Sequence, residues 1–123
     1  MAHLISTDVR AFIPAMDFAL SKRFYAALGW ETRDVDRGLA LVRVGDRQHF
    51  YVQDYYRKDF AENCMLHVTV ESVDDWYAHL STVLAHDDFP GARVQPPSHQ
   101  PYGARVVFVH DPSGVLLHLC EWD

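Results

Sequence analysis

The sequence predicts an α+β fold made of two βαβββ modules, and three observations predict it. Each half of the chain reads as a strand, a helix and three short strands. Each helix is preceded by a side chain suited to capping it, Asp17 in the first half and Ser72 in the second. An offset of 55 residues lays one half on the other, bringing Val70 onto Ala15 and Ser72 onto Asp17. The repeat lies in the order of elements, with little residue identity. The modules divide at about residues 1–60 and 61–123 of a single domain.

The first module opens with an extended run over residues 9–15. After Asp17, Leu20, Phe24 and Leu28 recur at four-residue spacing with Tyr25 and Ala27 beside them, so one stripe of the helix is apolar. Gly29 follows that stripe and supplies a left-handed stop. Strands are expected over residues 30–34, 39–44 and 48–52. Gly45, Asp46 and Arg47 turn the chain between the last two.

The second module begins with the β-branched run MLHVTV. After Ser72, Val73, Trp76, Tyr77, Leu80 and Leu84 form another helical stripe. A proline-rich stretch over residues 89–103 holds a short strand at 92–94. Strands at 104–110 and 115–120 then flank the turn Asp111-Pro112-Ser113-Gly114, where proline fixes one φ and glycine frees another. Each sheet buries one face under its own helix, and the other faces remain to form a shared cleft.

Composition narrows the function. The 123 residues are 49% hydrophobic and 23% charged, ordinary for a globular protein with its own core. A net charge of −6 with no basic cluster argues against nucleic acid and slightly favours a cationic ligand. No apolar run approaches the roughly 20 residues of a membrane span, and no signal pattern precedes the first strand, so a cytoplasmic protein is expected. Cys64 and Cys120 form neither a disulfide framework nor a metal knuckle and are expected as buried free thiols. No serine sits in a nucleophile elbow, and no glycine-rich loop is present to hold phosphate. The pairs Asp74–Asp75 and Asp87–Asp88 read as a helix start and a solvated loop.

Two stretches carry a family resemblance. AMDFALSKRFYAALGWE resembles the opening pattern of the vicinal oxygen chelate superfamily, which includes glyoxalases, bleomycin-resistance proteins and dioxygenases. RVQPPSHQPYGARVVFVHDPSGVLLHLCEWD is similar to the closing pattern of the bleomycin-resistance-like branch. The resemblance implies two modules whose sheets curl into an open cup with helices on the outer face, and it implies a homodimer. Lyases, epimerases, transferases, dioxygenases and drug-sequestering proteins share this fold, so the site must decide the function.

The resemblance also implies four metal-ligand positions. They fall at Arg10, within 49–53, at Met65 and at His118. Arginine is a permanent cation and methionine a soft thioether, so only His118 suits a hard or borderline metal. The family's catalytic carboxylate is missing from that last position, and with it the base that lyase chemistry uses.

Without a metal, alternating strand parity turns Phe12, His49, Tyr51, His67, His118 and either Arg105 or Val106 into the cup. Tyr102 is expected at the rim with Trp122 near it. This lining suits a flat, partly polar molecule and a metal-independent binding protein. The alternative is a divalent-metal lyase or extradiol dioxygenase with a shifted site of His67 and His118, completed by His49, Tyr51 or Gln53. Residues 54–59, polar and aromatic together, are expected as a mobile rim loop or as an exposed connector. Trp30, Trp76 and residues 96–101 are candidate dimer contacts.

Overall fold

The computed structural model describes residues 2–123 and contains two sheets. In chain order the elements are β1 (Phe12–Pro14), α1 (Phe18–Ala27), β2 (Glu31–Asp36), β3 (Leu39–Arg43), β4 (His49–Gln53), α2 (Lys58–Ala61) and β5 (Met65–Thr69). There follow α3 (Val73–Val83), β6 (Arg93–Val94), β7 (Ser98–Gln100), β8 (Ala104–His110) and β9 (Leu116–Trp122). The first sheet runs β1-β4-β3-β2. The second runs β5-β9-β8-β6, with β7 also paired to β8. β1 and β5 each pair in parallel with the last long strand of their own sheet. The two-module α+β architecture is therefore the one the sequence predicts.

Both helices start as expected. The Asp17 carboxylate accepts from Leu20 N at 3.1 Å, and the Ser72 hydroxyl accepts from Asp75 N at 3.1 Å. Beyond the end of α1, Gly29 adopts φ +96°, a conformation that a β-carbon would strain. Its buried stripe is Ser21, Phe24, Tyr25 and Leu28, whereas Leu20 and Ala27 are only half-buried.

Other expectations need correction. The first strand shrinks to three residues because its pairing with β4 begins only at Phe12; before it, Asp8 accepts from both Val9 N and Arg10 Nε. β7 and α2 were not foreseen, since a tripeptide next to prolines and a four-residue helix have no usable periodicity. β9 extends through Trp122, so that residue belongs to the sheet. Cys120 is buried, but Cys64 is only half-buried.

The helix-covered faces of both sheets join in one core. Phe24, Tyr25, Val42, Phe50 and Val52 of the first module pack in the same cluster as Leu80, Val107, Val109, Leu117 and Leu119 of the second. Burying each large aliphatic side chain contributes roughly 1.5–3 kcal/mol before ordering costs. Trp30, a candidate dimer contact, belongs to this core. It is 6% exposed, lies parallel to Tyr25 at 6.0 Å and is flanked by Trp76 at 5.8 Å. It therefore has almost no surface to offer a partner.

The Asp111-Pro112-Ser113-Gly114 turn couples the modules. Asp111 accepts from Ser113 N and Val115 N within its own turn and from the Tyr25 hydroxyl of α1. Ser113 Oγ accepts from Met16 N just before α1. Side chains of this turn thus reach across to the first module and fix how the two sheets sit.

Candidate functional site

Strand registers assign every side chain to a helix-covered or an open sheet face. On the first sheet the pairs Phe12↔Tyr51, Leu41↔Tyr51, Arg43↔His49 and Arg33↔Leu41 lie on the open face. On the second sheet the open face carries Met65, His67, His118, Phe108, Val106 and Trp122. Strand parity therefore places Phe12, His49, Tyr51, His67 and His118 on uncovered faces, as read from the sequence, and the longer β9 adds Trp122, which was expected near the rim. Arg33, Leu41 and Phe108 were missed; extending the same parity to β2 and β3 would have found the first two, whereas Phe108 needed the register of β8 with β9.

Arg105 is the exception. Its register partners are Glu121 and His99, on the helix-covered side of the second sheet. Its guanidinium makes two 2.9 Å hydrogen bonds to the Asp74 carboxylate in the first turn of α3. Arg105 therefore holds a helix start and does not line the cup, and of the two alternatives Val106 faces the open side. The reason is strand phase, because adjacent residues of β8 point to opposite faces.

The open faces are aromatic. Phe12 and Tyr51 stack at 4.8 Å, and the Arg10 guanidinium lies 5.5 Å over the Tyr51 ring. Arg10 Nη1 also donates to the Tyr51 hydroxyl at 2.8 Å, and that bond together with Asp8 raises the arginine pKa further. On the second sheet, Tyr102 sits 5.9 Å from Trp122 and Trp122 sits 5.7 Å from His67. Phe108 meets His118 edge-on at 4.9 Å. Trp122 Nε1 donates to Thr69 Oγ1 at 3.2 Å, which fixes the indole across β5. His49 and His67 line opposite sides of a cleft of about 580 Å³ that also touches Ala11, Phe50, Leu66 and Thr69.

Burial disfavours the charged form of two imidazoles, His118 and His110. Burial pushes the His118 pKa below its ordinary value, and the neighbouring His67 lowers it further. His110, on the same open face, is lowered by burial and then by Arg93. His49, His110 and His118 each keep a buried ring nitrogen without a hydrogen-bond partner.

His67 and His118 are register partners on adjacent strands, which is the arrangement the metal alternative needs. Among the described residues, however, no group of three His, Cys, Asp or Glu side chains could hold a metal ion. His49 belongs to the other sheet, Met65 is exposed, and Arg10 is occupied by Asp8 and Tyr51. Two imidazoles fall short of the three protein ligands that even an open catalytic site uses. Within one chain the donor set does not fit a divalent metal.

The segment at residues 54–59 is anchored. Asp54 N donates to Gly38 O, Tyr55 O accepts from Ala15 N, and Tyr56 packs on the core. Tyr55, Arg57, Lys58 and Asp59 stand out to solvent from it.

Two modules with one shared core and two open aromatic faces define a cup-forming protein of the paired βαβββ class. The chain belongs to the Glyoxalase/Bleomycin resistance protein/Dioxygenase superfamily, whose family model matches residues 3–119. Solved structures share the fold. A bleomycin-binding protein from bleomycin-producing Streptomyces verticillus, complexed with copper(II)-bleomycin, is 23% identical with a TM-score of 0.79, over 98% of this chain and 100% of that one. TnmS3, an antibiotic binding protein from Streptomyces sp. CB03234, is 20% identical with a TM-score of 0.77, over 98% and 100%. A lactoylglutathione lyase from Agrobacterium tumefaciens is 15% identical with a TM-score of 0.69, over 95% of each chain. No curated protein matches the sequence. Among the described residues no helix is long and apolar enough to cross a membrane.

Proposed function

We propose that this chain is a metal-independent small-molecule binding protein that holds a flat aromatic ligand between open sheet faces, as drug-sequestering members of its superfamily do. The observation that carries the reading is the pairing of aromatic open faces with Arg10 and Met65 at positions where a metal would need ligands. Phe12 with Tyr51, and Tyr102 with Trp122 and His67, offer stacking surfaces on the two sheets. The bleomycin-binding and antibiotic-binding relatives of the same fold support a sequestering role.

In this reading the cup closes between two copies of the chain. One copy's sheets share a single core through their helix-covered faces, so their open faces are left for a partner to cover.

The test is elemental analysis of protein purified without added metal, followed by a thermal-shift titration with metal-free bleomycin. Divalent metal is expected well below one per chain. A ligand that binds the folded state at about 100 times its dissociation constant stabilises it by about 2.7 kcal/mol, a shift of several degrees. Stoichiometric metal would defeat the proposal. No shift with bleomycin or with a panel of flat aromatic molecules would likewise defeat it.

A further inference from the structure

At the seam between the modules the shared core reaches the surface. A cleft of about 380 Å³ opens there, lined by Trp30 and Val44 of the first module and by Val68–Ser72, Asp75 and Trp76 of the second. Val44, Val68, Val70 and Trp76 all pack on the core, so this cleft lies on the helix-covered side and is separate from the cup. It adjoins the cleft of His49 and His67 along β5, since both touch Val44, Val68 and Thr69.

One wall of the cleft holds a donor without an acceptor. Trp30 is 6% exposed, and its indole N–H makes no hydrogen bond among the described residues. A buried indole N–H ordinarily finds a partner, as Trp122 does in Thr69. The fully enclosed side-chain atoms that lack partners are all histidine nitrogens, so the Trp30 nitrogen keeps some exposure. The cleft is where that exposure lies. Trp30 has almost no surface for a protein partner, but a hydrogen bond needs only this one atom.

The charge at the cleft has one sign. Glu71 and Asp75 are its charged lining residues, and both are exposed. Among the described residues neither carboxylate accepts a hydrogen bond or lies within ion-pairing distance of a cation. Neighbouring acids are engaged, Asp74 by Arg105 and Glu121 by Val73 N. Asp75 is explained by its place in the first turn of α3, where the helix dipole favours a negative charge. Glu71 precedes the capping Ser72 and has no such reason to be acidic. Trp76 lines the same cleft and supplies a ring that attracts cations.

We infer that this cleft is a second binding site, for a small organic cation: an ammonium group on a short apolar or aromatic stem that also carries an acceptor oxygen. Glu71 and Asp75 hold the ammonium beside Trp76, the stem covers Val44, Val68 and Val70, and the acceptor takes the Trp30 N–H. The site is independent of what the cup binds.

The test uses four probes of one size on the full chain. They are 4-methoxybenzylamine, 4-ethylbenzylamine (which lacks the acceptor), the neutral 4-methoxybenzyl alcohol and the anionic 4-methoxybenzoate. Binding is followed by the indole N–H resonances in ¹H–¹⁵N spectra, assigned with Trp76→Phe and Trp122→Phe. At millimolar concentration 4-methoxybenzylamine is expected to move the Trp30 resonance downfield, saturably, while that of Trp122 stays in place. The alcohol should bind about fivefold more weakly, and the benzoate more weakly still. 4-Ethylbenzylamine should bind without the downfield shift at Trp30. Glu71→Gln combined with Asp75→Asn should weaken the amine about fivefold. Asp87→Asn combined with Asp88→Asn removes the same two charges beyond the other end of α3 and should leave binding unchanged. An amine that leaves Trp30 unmoved, or that moves Trp122 instead, overturns the site. Equal binding of amine, alcohol and benzoate, or equal weakening by the two double variants, overturns the role of Glu71 and Asp75.

Discussion

The Tyr25 hydroxyl donates a 2.7 Å hydrogen bond to Asp111 Oδ2, and both residues are fully buried although they belong to different modules. Burial pushes the tyrosine pKa well up, and the adjacent carboxylate adds to that. Asp111 is also raised by burial, against the pull of the hydroxyl and the turn amides. The carboxylate is the hub of the link. It organises its own turn through Ser113 N and Val115 N and receives the hydroxyl from α1.

Tyr25→Phe keeps the ring packing against Phe24, Trp30 and Phe50 and removes one donor. We expect a loss of about 1.5–3 kcal/mol in urea unfolding, the usual worth of a hydrogen bond to a charged group. Asp111→Ala should cost more, because it leaves the hydroxyl and two turn amides buried without an acceptor. If Tyr25→Phe proved neutral, the packing of α1 rather than this bond would be what joins the modules.

Arg105→Ala tests the reassignment of that residue. Its bidentate contact with Asp74 is solvent-exposed and ties β8 to the start of α3. The expected effect is a small fall in melting temperature that diminishes in high salt, with ligand response unaltered. Loss of ligand binding at unchanged stability would return Arg105 to the site.

That residue also marks how far the sequence could be read. The helices were legible because an apolar stripe behind a capping Asp17 or Ser72 encodes both position and orientation. Strand parity correctly placed Phe12, Tyr51, His67 and His118, since period two leaves only one choice of face once one residue is fixed. At β8 the apolar run ARVVFVH obscures that period, because Val106 and Val107 are both fully buried on opposite faces. The choice between Arg105 and Val106 therefore required the register with β9. Arg10 could be excluded as a metal ligand by its chemistry, but its seat on Tyr51 could not be read, because 41 residues separate the two in sequence.

The neutral histidines predict a pH dependence with a defined sign. His118 and His110 have pKa values depressed below the ordinary 6.5, so the unfolded chain binds their protons more readily than the folded one. Their contribution to stability is complete above 6.5 and is lost as pH falls through 6.5 towards the depressed values. Unfolding midpoints measured from pH 7.5 down to pH 5 should fall for the native chain, and His118→Gln should fall less. An identical decline in the variant would mean that His118 is not held neutral by its surroundings.

The association state follows from what the open faces expose. Met65 is 61% exposed, Trp122 51% and Phe12 48%, a concentration of large apolar groups on the faces turned away from the helices. β1 and β5, which carry Phe12 and Met65, are also the edge strands of their sheets, and exposed edges of this kind invite pairing. A second copy related by a twofold axis would cover both edges and both faces at once, in a self-complementary contact. Trp30 cannot contribute, since it is packed beneath Trp76. Light scattering at micromolar concentration should therefore give about twice the 14.1 kDa of one chain. Phe12→Asp combined with Met65→Asp places like charges on both edges and should shift the mass to that of a single chain. Because these side chains lie outside the shared core, the variant's far-UV circular dichroism should match that of the native protein. A native chain that runs at 14.1 kDa would defeat the prediction and with it a cup closed between copies.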